Sequence, residues 1–272
     1  MYEIDSSLSS NSNGEFFKIS KFVFLTKLAL SLKIYPLLRK INNYMPWKLS
    51  YHNKLMNFYS KFINKGDLCF DVGSNVGDIT KILSNLGARI ISIEPQKKCI
   101  KFLKIISKRN KNIILVGKAV GDRVGFGEIF ICKDDSGYST MSKKMKHEGR
   151  FSSYLKWGYG HKIPVTTLDT LISEYGCPKY CKIDVEGYEE FIFKGLTKKI
   201  PIISFEFHRE FFKTAKNCIN HLQALGYKEF NCVIAFSTKF LLNSWVRPEK
   251  LYKQIRMLNY RFLEGHIYAK LP

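Results

Sequence analysis

Four carboxylates stand out by position. Asp71, Glu94, Asp184 and Glu206 each fall at the end of a short apolar run. Carboxylates placed this way can accept hydrogen bonds from hydroxyls, attract a cationic ligand, or serve as general bases. Glu206 and His208 are two apart in one run, so in a strand their side chains share a face. A carboxylate beside an imidazole can form a base, or supply two ligands of a divalent metal with Asp184. No metal site is assigned on sequence alone. The four carboxylates are conspicuous because the chain is basic. Its 272 residues hold 44 Lys and Arg against 23 Asp and Glu, a formal charge of +21.

The turn after the first apolar run reads Asp71-Val72-Gly73-Ser74-Asn75-Val76-Gly77. Two glycines four apart suit any nucleotide-binding turn. A dinucleotide site offers backbone N–H groups to a pyrophosphate, and a carboxylate there would oppose it. Asp71 instead favours a cationic ligand, such as the ammonium and sulfonium of S-adenosylmethionine. Gly73 lets the backbone approach closely, and Gly77 admits a tight entry into the next helix. Glu94, closing the second run, is placed to accept from ribose hydroxyls.

These residues need a scaffold that brings run ends together. Apolar runs at 68–72, 89–93, 112–116, 180–184 and 202–207 alternate with helical periodicity at 79–86, 97–108, 188–196 and 211–225. Further strands are expected at 128–132, 227–232 and 266–271. Strand–helix alternation predicts an α/β fold, with a mostly parallel sheet and helices on both faces. Ligands then bind at the carboxyl ends of the strands, where the strand order switches. The chain divides into a flexible tail over 1–15, a basic helical region over 16–66 and a main domain over 67–272. Residues 134–162 are expected to form a lid or substrate loop.

The segments that resemble a known family are the first turn, Glu94-Pro95, Ala119-Val120-Gly121, Ser139-Thr140-Met141, Val165-Thr166-Thr167-Leu168-Asp169 and Lys182-Ile183-Asp184-Val185-Glu186-Gly187-Tyr188-Glu189. In order and spacing they are similar to the FkbM family of S-adenosylmethionine-dependent methyltransferases, from about Asp67 to His208. Ser74 stands where that family often has Ala, and Met141 where Leu is common. The resemblance implies a class I (Rossmann-like) methyltransferase fold and methylation of hydroxyls on sugars, glycans, glycolipids or related small molecules. It implies that Asp71, Gly73, Asn75, Gly77 and Glu94 hold S-adenosylmethionine. Ala119 would lie near the adenine, and Asp184 at the methionine end or the acceptor. Asp184, Glu206 and His208 are the catalytic candidates. Asp184 also reads as a turn residue before Gly187, and Glu186 and Glu189 as structural or surface groups, with Glu186 close enough to Asp184 to matter.

Ten basic and no acidic residues occupy 16–66. That region is too often interrupted by lysine to span a bilayer, but it suits peripheral contact with a membrane. The expected location is cytoplasmic, with membrane-peripheral contact as an addition. Seven irregularly spaced cysteines form no disulfide or zinc pattern and fit a reducing compartment. The charge also suits an anionic acceptor, or RNA stacked on the aromatics among the lysines of 138–162. RNA methylation is therefore the alternative activity, ranked below a glycan or small-molecule acceptor. A basic scaffold that no longer binds cofactor is a third reading. Nothing in 209–272 reads as chemistry.

Overall fold

The apolar runs become the strands of a seven-stranded sheet in this computed structural model. It describes residues 25–29, 31, 46–235, 237–258 and 263–272. The tail 1–15, and residues 16–45 apart from those named, lie outside the described residues. The parallel strands are β1 (Leu68–Val72), β2 (Arg89–Ile93), β3 (Ile113–Val116), β7 (Tyr180–Ile183) and β8 (Ile202–His208). The last two are β9 (Glu229–Ile234) and β10 (Glu264–Lys270). Their spatial order is β3-β2-β1-β7-β8-β10-β9, with β10 antiparallel to both neighbours. This is the class I methyltransferase arrangement, and the order switches direction at β1.

Both faces of the sheet are covered, so its strands read as continuous apolar runs rather than alternating ones. In β1, Cys69 packs with Phe58, Tyr59, Ile82 and Leu83 on one face. Its neighbour Phe70 packs with Leu168, Ile172 and Phe193 on the other. The first face takes helix α1 (Pro46–Tyr59) and α2 (Asp78–Asn85). The opposite cluster takes α5 (Leu168–Tyr175), α6 (Glu189–Lys194), α7 (Phe212–Ala224) and α8 (Pro248–Met257). Helix α3 (Lys97–Arg109) leans on β3. The end of the 16–66 region is thus part of the core. Phe58 and Phe62 join Tyr180 and Tyr268 in a cluster of edge-on rings. Such ring pairs contribute roughly 0.5–1.5 kcal/mol each beyond area burial.

Residues 134–162 do not form a structureless loop. Ser136–Tyr138 is a 3-10 turn and Lys143–Glu148 is helix α4. From Trp157 the chain runs as β6 (Trp157–Thr166), between β4 (Ala119–Val120) and β5 (Gly125–Cys132) in a second, three-stranded sheet. The first half of β6 has no buried side chain, so period-2 alternation is missing from its sequence. None of the seven cysteines is in a disulfide, and all but Cys177 are buried. Among the described residues, no helix is long and apolar enough to cross a membrane.

Candidate active site

The carboxyl ends of β1, β2 and β7 open on a cleft of about 720 Å³. Gly73, Asn75, Glu94, Ala119 and Asp184 all line it. Glu94 is 3% exposed, and its two oxygens accept from the backbone N–H groups of Asn75 (2.9 Å) and Gln96 (2.8 Å). Burial raises its carboxyl to about 6 against those two bonds. Asn75 takes a left-handed φ of 48°, and its side-chain oxygen accepts from Ser136 Oγ at 2.9 Å. This joins the first turn to the segment after β5. Ser139, Thr140 and Met141 close the same side of the cleft.

Two residues expected to touch the cofactor do not line this cleft. Asp71 is fully buried within β1. Its Oδ2 accepts from Thr80 Oγ1 at 2.5 Å, and the Lys182 ammonium is its main charged neighbour. The side chain takes the same face of the sheet as Cys69, two residues before it, and lies under α2. Gly77 starts α2 at a φ of 85°. A side-chain carbon there would meet Leu103 and Ile106 of α3, so its smallness serves packing.

Asp184 follows β7 and is bound on two sides. Lys182 Nζ donates to Oδ2 at 2.8 Å, and His266 Nε2 lies 3.4 Å from the same oxygen. Burial alone would raise this carboxyl, but Lys182 and His266 outweigh it and hold it well below the ordinary carboxylate range. A carboxylate so stabilised is a weak base and a permanent negative charge.

A second cavity, about 840 Å³ and open to solvent, adjoins the first; Gly137 and Glu186 border both. Glu206 and His208 lie on its wall as same-face neighbours of β8, with Glu206 Oε2 3.1 Å from His208 Nε2. Glu186 Oε2 is 3.8 Å from that nitrogen. Glu186 has a φ of 56°, uncommon for a residue with a side chain. Thr140 Oγ1 donates to its carbonyl at 2.7 Å and holds the turn. Burial lowers the His208 imidazole, but Glu206 outweighs this and lifts it to about 9. Burial and Glu206 push the Glu186 carboxyl well above its usual range. Glu189 has a structural role, accepting from the Val185 and Gly187 N–H groups.

Arg150, Glu210, Glu264 and His266 are the site residues that sequence reading passed over. Arg150 Nε and Nη2 each donate to Glu210 at 2.8 Å, and Nη1 donates to Glu264 at 2.9 Å. The last strand carried a usable signal. Glu264 and His266 are two apart, like Glu206 and His208. The antiparallel register pairs Glu264 with His208 and His266 with Glu206. One face of β8 and β10 therefore presents all four side chains.

The sequence model of the FkbM methyltransferase domain matches residues 71–229, more than half of the chain. The chain belongs to the FkbM methyltransferase family. It is a methyltransferase, and S-adenosylmethionine is its cofactor. The first cleft fits that group by its chemistry. Glu94 offers carboxylate oxygens for ribose hydroxyls, and Asp184 offers a negative charge for the cationic end. Val72, Ile93, Ala119, Val120 and Ile129 form an apolar wall for the base.

Solved structures similar to this FkbM-family chain match it at low identity. The precorrin-6y C5,15-methyltransferase of Geobacter metallireducens is 12% identical, with a TM-score of 0.43 over 79% of this chain and 87% of that one. Fibrillarin of Aeropyrum pernix, solved with S-adenosyl-L-methionine, is 11% identical, with a TM-score of 0.39 over 76% and 68%. A putative methyltransferase of Streptococcus mutans, solved with SAH, is 12% identical, with a TM-score of 0.38 over 84% and 98%. No curated protein matches the sequence.

Proposed function

We propose that this methyltransferase is an O-methyltransferase acting on a hydroxyl of a sugar, glycan, glycolipid or related small molecule. The observation that carries this reading is the second cavity, which meets the cofactor cleft at Gly137 and Glu186. Its walls pair aromatic faces (Tyr138, Phe151, Trp157) with carboxylates. Aromatic faces receive the C–H surfaces of a sugar ring, and carboxylates accept from its hydroxyls.

When bound, S-adenosylmethionine supplies a methyl group already activated on a sulfonium. The protein's remaining task is to position the acceptor. Gly73, Asn75, Glu94 and Ala119 are assigned to the cofactor. Asp184 joins them as a fixed charge rather than as the base, because Lys182 and His266 already stabilise its ionised form. Glu186, Glu206 and His208 are assigned to the acceptor. They orient its hydroxyl and make the oxygen nucleophilic.

A second reading, RNA methylation, draws on the net charge of +21 and on Tyr159, which is 93% exposed among lysines. The acceptor cavity opposes it. Five carboxyl groups line that cavity against one guanidinium and one imidazole. That lining repels a phosphate backbone, and equally an anionic sugar.

The test follows label from methyl-labelled S-adenosylmethionine into a panel of neutral glycans, glycolipids and RNA. Label in a glycan or glycolipid ether is expected. Label confined to RNA would overturn the reading.

A further inference from the structure

Three side chains at the junction of the two cavities have the composition of a cation site. Glu186, Glu206 and His208 each turn one donor atom to a common point, and all three atoms lie within 4.8 Å of one another. Glu206 Oε2 and His208 Nε2 are buried, and neither makes a hydrogen bond among the described residues. His208 is only 9% exposed.

Among the described residues, His208 is the one basic side chain within 4.0 Å of Glu186 or Glu206. Arg150 is committed to Glu210 and Glu264. The cluster therefore gathers donor atoms suited to a cation in a chain otherwise rich in Lys and Arg.

We propose that Glu186, Glu206 and His208 bind a divalent cation, and that its open positions take oxygen atoms of the acceptor. The proposal rests on the O-methyltransferase reading only for the acceptor, because the ligand set stands without it. The spacing fits. Octahedral bonds of about 2.1 Å put neighbouring ligands about 3 Å apart. Glu206 Oε2 and His208 Nε2 are 3.1 Å apart, and Glu186 Oε2 is 3.8 Å from His208 Nε2. Two carboxylates with one imidazole suit an ion of intermediate softness, with Mn2+ ahead of Mg2+ or Ca2+.

The scaffold holds these ligands firmly. Two of them come from one strand, whose register with β10 is continuous from His208 to Ile202. The third sits on a turn held by Thr140. Coordination through Nε2 leaves the ring proton on Nδ1. Glu264 Oε2 lies 4.0 Å from that nitrogen and would accept it after a small approach. The competing Arg150 contact to Nδ1 is long, at 3.4 Å. A hydroxyl bound to the cation ionises more readily, and its proton leaves to solvent water through the open mouth of the cavity.

The test titrates the full-length protein with Mn2+, reading free ion by electron paramagnetic resonance. Binding of S-adenosylmethionine to the same preparations is measured by calorimetry. One saturable Mn2+ per chain is expected, weakened roughly tenfold or more in Glu186→Gln and in Glu206→Gln. Pulsed spectra of the wild-type complex should carry the coupling of a directly bound imidazole nitrogen. That signal decides the matter if a variant does not fold. No saturable Mn2+ at millimolar concentration, unchanged affinity in folded variants, or bound Mn2+ without nitrogen coupling would each overturn the site. Loss of Mn2+ binding with intact S-adenosylmethionine binding removes the cation and leaves the methyltransferase assignment standing. Failure of the O-methyl reading appears separately, as label confined to RNA.

Discussion

The carbonyl oxygen of Asp184 stands 1.8 Å from the point a side-chain carbon on Gly73 would occupy. The tips of β1 and β7 touch through bare backbone, and this contact forms the floor of the cofactor cleft. Gly73 also holds a φ of 78°, which residues with side chains rarely adopt. Gly73→Ala should force the two tips apart. Overpacking of this kind costs about 1–3 kcal/mol before the backbone penalty is added. The expected result is a lower unfolding midpoint together with loss of detectable S-adenosylmethionine binding in calorimetry. A stable Gly73→Ala protein with wild-type affinity would mean the two tips are not the floor.

Asp71 and Glu94 divide stability from binding. Asp71 lies beneath the turn, bonded to Thr80, and does not line the cleft. Asp71→Asn keeps an acceptor for Thr80 and should change S-adenosylmethionine affinity less than roughly tenfold, while Asp71→Ala removes that acceptor and the charge facing buried Lys182, and costs about 1–3 kcal/mol. Glu94→Ala should do the reverse. It removes an acceptor for the ribose hydroxyls, and affinity should fall roughly tenfold or more, since bonds to charged groups contribute about 1.5–3 kcal/mol. Urea unfolding and calorimetry on the same three variants separate the two patterns.

The fold was legible because a sheet covered on both faces writes its strands as uninterrupted apolar runs. The runs at Leu68–Val72 and Arg89–Ile93 were visible in this way. Their ends gave Glu94 and Asp184 as groups bordering a ligand cleft. The direction of Asp71 was not legible, because a fully apolar strand carries no alternation to say which face each residue takes. Arg150 was invisible for a different reason. Its partners Glu210 and Glu264 are 60 and 114 residues away, and no local pattern encodes such pairing. Glu186 read as a structural or surface group close to Asp184, and only the folded turn aims it at His208.

Arg150 is the fastener between the segment after α4 and the ends of β8 and β10. Its side chain is 4% exposed and bonds Glu210 with both prongs while reaching Glu264. Arg150→Met should leave two partly buried carboxylates without their guanidinium partner, at a cost of about 3–5 kcal/mol. Arg150→Lys restores the charge but not the fork and should recover only part of the loss. Denaturant unfolding of the two variants checks the order. Equal stability of Arg150→Met and wild type would mean the fork contributes nothing.

Glu94 should also set an acid limit on cofactor binding. Burial lifts its carboxyl to about 6 in the free protein, and hydroxyls of a bound ribose favour the ionised form. Binding therefore expels a proton once the pH falls below that value, and affinity should drop by up to one decade per pH unit there. Above about pH 7 the affinity should be flat with respect to this group. The sign for stability is opposite. A carboxyl raised in the folded state adds stability that is full below its ordinary value of 4.5 and lost as the pH rises through 6. Loss of affinity on the acid side is thus not explained by Glu94 unfolding the protein. Calorimetric titration of S-adenosylmethionine at successive pH values should show the slope in wild type and a flat line in Glu94→Gln. The same slope in both proteins would assign the acid limit to another group.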